Sequence, residues 1–181
     1  MGVRIEQVDW DDERAVELRR QMDAEMLERY GDRPNPDPDA VARALHVEAA
    51  DLAATLLALD DDGSALGHVA VRRHGDEWEL KRLVVTGAAR GRGVATALVD
   101  AGLEVARAGG AARMILQTGD RQPDAVALYE KLGWTPIPIY PPYEVVPFSL
   151  CFEKVLRPEQ EQGRSPRSSA ETQERRGTPG R

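Results

Sequence analysis

The chain contains one cysteine, Cys151, so it can form no internal disulfide and no cysteine-based metal site. Its three histidines, His46, His68 and His74, share no i,i+4 spacing, and no metal is expected. No apolar run approaches the roughly 20 residues that span a bilayer. The opening Met1-Gly2-Val3-Arg4-Ile5-Glu6 lacks the charged-then-apolar pattern of a leader. A reducing cytoplasm is therefore the expected setting, with no membrane partner. Lysine is scarce as well, three of the 24 Lys and Arg residues, and 31 Asp and Glu residues leave a net charge of −7. A nucleic-acid ligand needs a basic face to neutralise its phosphates, so none is expected.

What the chain does have is length for one domain with a substantial core, 181 residues of which 41% are hydrophobic. Residues 3–8 alternate apolar and polar side chains, as a strand does. Asp11 or Asp12 can cap the following helix, whose apolar stripe is Ala15, Leu18, Met22, Met26 and Leu27, and Gly31 ends it. Asp37 and Pro38 then start a short second helix through Leu45. Residues 52–59 and 65–73 flank Asp60-Asp61-Asp62-Gly63, a hairpin signal, and His74-Gly75-Asp76 turns the chain into a strand over 78–85. Downstream, a helix over 93–108, a strand over 113–117, a helix over 123–132 and strands over 134–140 and 146–156 are predicted. Residues 157–181 hold almost no large apolar side chains. Such a segment cannot offset its ordering entropy, so a disordered tail is predicted after a domain spanning 1–156.

The informative stretch runs from Glu79 to Leu98. An apolar strand enters the short loop Arg90-Gly91-Arg92-Gly93, and the loop opens directly into a helix. Glycines allow close backbone approach, and a helix N-terminus offers unpaired N–H groups at a positive dipole end. Together they suit a phosphate or pyrophosphate. The loop lacks the Gly-Lys-Ser/Thr ending of a nucleotide-triphosphate loop. A dinucleotide site is disfavoured too, because no full G-x-G-x-x-G follows the first strand. An ordinary strand-to-helix turn would also satisfy the pattern.

Arg90-Gly91-Arg92-Gly93-Val94-Ala95 resembles the Q/R-x-x-G-x-G/A signature of the GNAT superfamily of N-acetyltransferases. Leu128-Tyr129-Glu130-Lys131-Leu132-Gly133-Trp134 is similar to that family's Tyr-x-x-x-Gly-aromatic segment. The resemblance implies an α/β fold with a mixed, largely antiparallel sheet, helices on both faces, and a splay between the strands ending near Val85 and Gln117. It implies acetyl-CoA as co-substrate and transfer of the acetyl group to a primary amine of a small molecule, amino acid or peptide by direct attack. The loop residues Arg90, Gly91, Arg92, Gly93, Val94, Ala95 and Thr96 would hold the pyrophosphate, mainly through backbone amides. The strand Leu83, Val84 and Val85 would hold the pantetheine arm, with the Val85 N–H facing the thioester oxygen.

Two catalytic roles follow from the same likeness. Tyr129 stands where many members place a tyrosine that protonates the departing thiolate; it also reads as an aromatic packed on the sheet. Glu79, 11 positions before Arg90, stands where histone-type members carry a general base; it also reads as a solvated strand glutamate. Family members often have a cofactor-binding asparagine seven positions before the tyrosine, and here that position is Gln122. Tyr30, Trp78, Tyr140, Tyr143, Glu25 and Glu28 are candidates for the acceptor side, and Cys151 reads as core. A homodimer is compatible with the family but nothing specifies its interface. The alternative from another class is a non-catalytic acyl-CoA sensor or scaffold.

Overall fold

Hydrophobic alternation along the N-terminal strands sets the two faces of the sheet. The computed structural model describes residues 2–156, so the predicted tail lies outside the described residues. Seven strands form one sheet: β1 (Arg4–Val8), β2 (Leu52–Leu59), β3 (Ala65–His74), β4 (Glu77–Val85), β5 (Arg113–Gly119), β6 (Thr135–Ile137) and β7 (Ser149–Val155). Their spatial order is β1-β2-β3-β4-β5-β7-β6; only β4 and β5 run parallel. Among the described residues four helices accompany them: α1 (Glu13–Tyr30), α2 (Pro38–Leu45), α3 (Val94–Ala108) and α4 (Pro123–Lys131).

On β2, Ala54, Leu56 and Ala58 join the core beneath α3, while Leu57 and Leu59 meet Ala15 and Leu18 of α1 on the other face. The expected caps are used. Asp12 accepts from the Arg14 amide, and Asp37 accepts from the Ala40 amide with Pro38 at the first helical position. Leu27, expected in the apolar stripe of α1, is 73% exposed. The strand expected over 134–140 is shortened to Thr135–Ile137. Pro138 has no N–H for a ladder, and the chain then forms a short 3-10 turn at Tyr143–Val145 before β7. Among the described residues no helix is long and apolar enough to cross a membrane.

The site is created by one irregularity in β4. Ala70 pairs with Lys81 but His68 pairs with Val84, so Arg82 and Leu83 together oppose the single residue Val69. Arg82 sits at φ 58, the left-handed region, which costs a side-chain-bearing residue of order 1–2 kcal/mol. Its carbonyl accepts from His68 Nδ1 at 2.8 Å, and its guanidinium pairs with Asp23 of α1. The extra residue reverses the strand's face parity. Trp78 and Leu80 pack in the α3-side core before the bulge, and Leu83 and Val85 contact that same core after it. Beyond Leu80, β4 also loses its parallel partner, because β5 pairs with it only over Trp78–Leu80. The expected splay is this gap.

Candidate active site

The gap between the diverging strands opens into two adjoining cavities that share Met22, Met26, Leu83, Gln122 and Ala125. The first, about 530 Å³, lies over the bulge against α1 and α2. The second, about 510 Å³, runs from the end of β4 to the loop before α3. The C-terminus of α1 is clamped to the β5–α4 loop across the mouth. Arg29 donates to the Arg121 carbonyl at 2.9 Å, and Arg121 donates to the Arg29 carbonyl at 2.7 Å. The Tyr30 hydroxyl accepts from the Arg121 amide at 2.8 Å, a reach that needs Gly119, since a Cβ there would lie 2.1 Å from that hydroxyl.

The second cavity is built from backbone. Gly91 and Gly93 lie at φ 76 and φ 79, and Gly93 is the N-cap of α3 with no side chain capping the helix. Among the described residues, the amides of Gly91, Gly93, Val94, Ala95 and Thr96 donate to no carbonyl; the first to do so is Ala97, to Gly93 at 3.0 Å. A Cβ added at either glycine meets nothing within 4 Å, so both face open space. Five free donors at the positive end of a 15-residue helix suit an anion of the size of a pyrophosphate. All the expected loop residues except Arg92 line this cavity, as do Leu83, Val84 and Val85. The Arg90 and Arg92 side chains are engaged by acids, Arg90 with Glu25 at 3.0 Å and Arg92 with Asp60 at 3.2 Å. Because Thr86 donates to the Leu66 carbonyl at 2.9 Å, alternation along the ladder turns the Val85 N–H away from β3, toward the gap.

Two of the expected polar residues stand where the cavities meet or beside that junction. Gln122 lines both, and its side-chain amide has no hydrogen-bond partner among the described residues. Tyr129 lines the first; its ring is packed against Trp134 and Phe152, and its hydroxyl has no partner among the described residues. Burial pushes the phenol above its ordinary value, which keeps it protonated.

Glu79 requires a correction. It is fully buried and lines neither cavity. One carboxylate oxygen accepts from Arg72 Nε at 2.6 Å, and the other from the hydroxyls of Tyr140 at 2.8 Å and Tyr143 at 2.6 Å. Burial alone would push its pKa up, but the charges of Lys81 and Arg72 and the two hydroxyls outweigh it and hold the group below the usual carboxylate range. A carboxylate so sealed and satisfied has no route to an amine in the cavity, so it is not placed as a general base. Tyr140 and Tyr143 are thereby engaged as well. Trp78 lies on the opposite face, its ring where a Cβ on Gly109 would come within 2.1 Å. Cys151 is buried, as expected.

Residues that the sequence did not single out complete the first cavity. Lys81 lines it, 6% exposed, with its Nζ donating to the Tyr143 hydroxyl at 2.7 Å. Burial pushes this amine down to about 8, partly offset by Glu79. Phe148 stacks on Tyr30 with ring centroids 4.4 Å apart, and Arg33 pairs with Asp120 at 2.9 Å. His68, fully buried, accepts from Arg19 at Nε2 and donates from Nδ1 to the Arg82 carbonyl, an arrangement that requires the neutral ring. Burial pushes its pKa down to about 4. Its alternation with Leu66 and Ala70 on a strand gave no hint of that tie.

Comparison with known proteins bears on the family and the fold. The profile described as Acetyltransferase (GNAT) family matches residues 11–134. An IAA acetyltransferase of Azospirillum brasilense is 36% identical over 90 residues, which are 50% of this chain and 59% of that protein, so the chain spans less than two thirds of that relative. A GNAT-family acetyltransferase from Staphylococcus aureus Mu50 superposes with a TM-score of 0.65 at 16% identity, over 86% of this chain and 100% of that one. The PaiA N-acetyltransferase of Thermoplasma acidophilum, solved with coenzyme A, superposes with a TM-score of 0.64 at 14% identity, over 86% and 100% of the two chains. At those identities the two structures speak to the fold.

Proposed function

Given that the chain belongs to the GNAT acetyltransferase family, we propose that it transfers an acetyl group from acetyl-CoA to a primary amine of a small molecule, amino acid or peptide. The observation that carries this reading is the set of undonated amides of Gly91, Gly93, Val94, Ala95 and Thr96, opening onto a cavity continuous with the one at Tyr129. Acetyl-CoA supplies an activated thioester when bound. The amides of Gly91, Gly93, Val94, Ala95 and Thr96 hold its pyrophosphate, and the exposed edge of Leu83–Val85 takes the pantetheine arm. The Val85 N–H stabilises negative charge developing on the carbonyl oxygen. The Tyr129 hydroxyl donates its proton to the departing sulfur. The Gln122 amide is free to contact the coenzyme from the opposite wall.

The acceptor enters through the first cavity and attacks the thioester directly. With Glu79 sealed under Tyr140 and Tyr143, the proton lost by the amine passes to water, and water returns a proton to Tyr129, which restores its hydroxyl. Thiol release on mixing acetyl-CoA with a panel of primary amines tests the reading. Amine-dependent release is the expected result. Coenzyme binding without turnover across the panel would favour a sensor or scaffold instead.

A further inference from the structure

The first cavity is mostly apolar, and the charged groups on its wall are tied off with one exception. Asp23 and Arg82 pair with each other, and Arg33 pairs with Asp120. Lys81 alone among the charged lining residues has no carboxylate within 4.0 Å among the described residues. Its one hydrogen bond goes to the Tyr143 hydroxyl, and that oxygen is already in use: it donates to Glu79 at 2.6 Å and accepts from Arg72 at 3.1 Å. An ammonium has three N–H donors. Two of them therefore have no hydrogen-bond acceptor among the described residues, in a position that is nine-tenths buried.

The charges around it do not balance. Arg72 and Lys81 are cationic, Glu79 alone is anionic, and Glu79 is shared among Arg72 and two tyrosines. One positive charge is left in the cavity wall, out of bulk water. A buried charge without a partner is costly, and a second cation brought there would be repelled. A carboxylate of the ligand would satisfy both free donors and the surplus charge.

We infer that the acceptor is an amine that also carries a carboxylate, held by Lys81 in the wall of the first cavity, with an apolar body against Met22, Met26, Val41 and Leu45. The inference rests on the reading of this cavity as the acceptor site. It narrows the acceptor to compounds resembling apolar amino acids.

Leucine, methionine and phenylalanine, each paired with its primary amide, test it in two ways. Calorimetry on the coenzyme A-loaded protein measures binding, and thiol release with acetyl-CoA measures turnover. The free acids should bind at least about tenfold more tightly than the amides, the range for a charge-assisted hydrogen bond. Lys81→Met should bring each pair within about twofold while leaving coenzyme A affinity unchanged, and Lys81→Arg should keep part of the preference. Above about pH 8 the preference should fade as Lys81 loses its proton. The groups facing it there are Glu79 and Arg82 on its own strand, Arg72 on β3, Tyr143, and Cys151 on β7. Equal binding of acid and amide in the wild type, a preference that survives Lys81→Met, or no binding of either member of any pair overturns the inference. If acids and amides turn over equally, acetyl transfer stands and the carboxylate anchor falls. If acids bind through Lys81 and no thiol appears, the anchor stands and acetyl transfer falls.

Discussion

The two cavities are made by opposite means. The one beside α3 is a backbone structure: two glycines in the left-handed region, five amides without acceptors, and side chains such as Arg90 and Arg92 turned to acidic partners. The one over the bulge is a side-chain structure, with Met22, Arg33, Val41, Lys81, Tyr129 and Phe148 arriving from segments far apart in the chain. A backbone site recognises what every bearer of the ligand has in common, a pyrophosphate. A side-chain site can be rewritten residue by residue without disturbing the fold. On the proposed reading, coenzyme and acceptor recognition are thus separable in this molecule.

Substitution at the backbone site should be the most damaging. Gly93→Val places a branched side chain in the cradle and forces it to a φ that costs of order 1–2 kcal/mol. Coenzyme A affinity by calorimetry should drop by about 100-fold or more, with the melting temperature lowered only modestly. Affinity within about threefold of wild type would refute the backbone cradle.

Tyr129→Phe separates chemistry from binding. Turnover should fall by about 10²-fold with coenzyme A affinity kept within about twofold, because the hydroxyl alone is removed. An unchanged rate would remove Tyr129 from the reaction and leave the first cavity without an acid.

His68→Leu tests the bulge that both cavities share. In the folded protein His68 is neutral down to about pH 4, whereas an unfolded chain takes up the proton near the ordinary value of 6.5. Between those values the unfolded state binds more protons, so stability should fall as the pH drops through that window, by up to about 3 kcal/mol. Denaturant titrations at about pH 7 and about pH 5 should show this loss in the wild type, and a smaller one in the variant. The variant should also be weaker at neutral pH by about 1–3 kcal/mol, since the Arg82 carbonyl and the Arg19 guanidinium lose their partner. An equal acid loss in both proteins would mean that other groups carry it.

Arg90→Ala should do least. The guanidinium is half exposed and bound to Glu25, so coenzyme A affinity should change by no more than about threefold. A loss of 30-fold or so would show that the side chain lets go of Glu25 to reach the phosphates, and would blur the contrast between the two cavities.

The same contrast explains what the sequence revealed. The loop before α3 was legible because its chemistry is local: the strand end at Val85, the glycines at 91 and 93 and the helix start at Val94 follow one another in sequence. The helix caps at Asp12 and Asp37 were legible for the same reason. Glu79 was misplaced because sequence gives its strand position but not its cover, and Tyr140 and Tyr143 come from 61 and 64 residues away. Lys81, two positions after Glu79 in an apolar strand, carries no local signal of its own; only the packing of Tyr143 over it marks it out. Leu27 fitted the helical stripe, yet it lies on the wall of the open first cavity, which leaves that side chain largely uncovered.

Among the described residues, the three rungs that join β4 to β5 are the only sheet pairing between β1-β2-β3-β4 and β5-β7-β6. Such a short seam makes this the place where the sheet would unzip first, and a ligand lying along Leu83–Val85 would act there as a substitute strand of non-peptide origin. Deuterium uptake by the amides of the β4 end and of Trp78–Leu80 should therefore slow when coenzyme A is added, while uptake in β1 stays the same. On that view the protein is incompletely zipped by itself, and the coenzyme of the proposed reaction would also be part of its architecture.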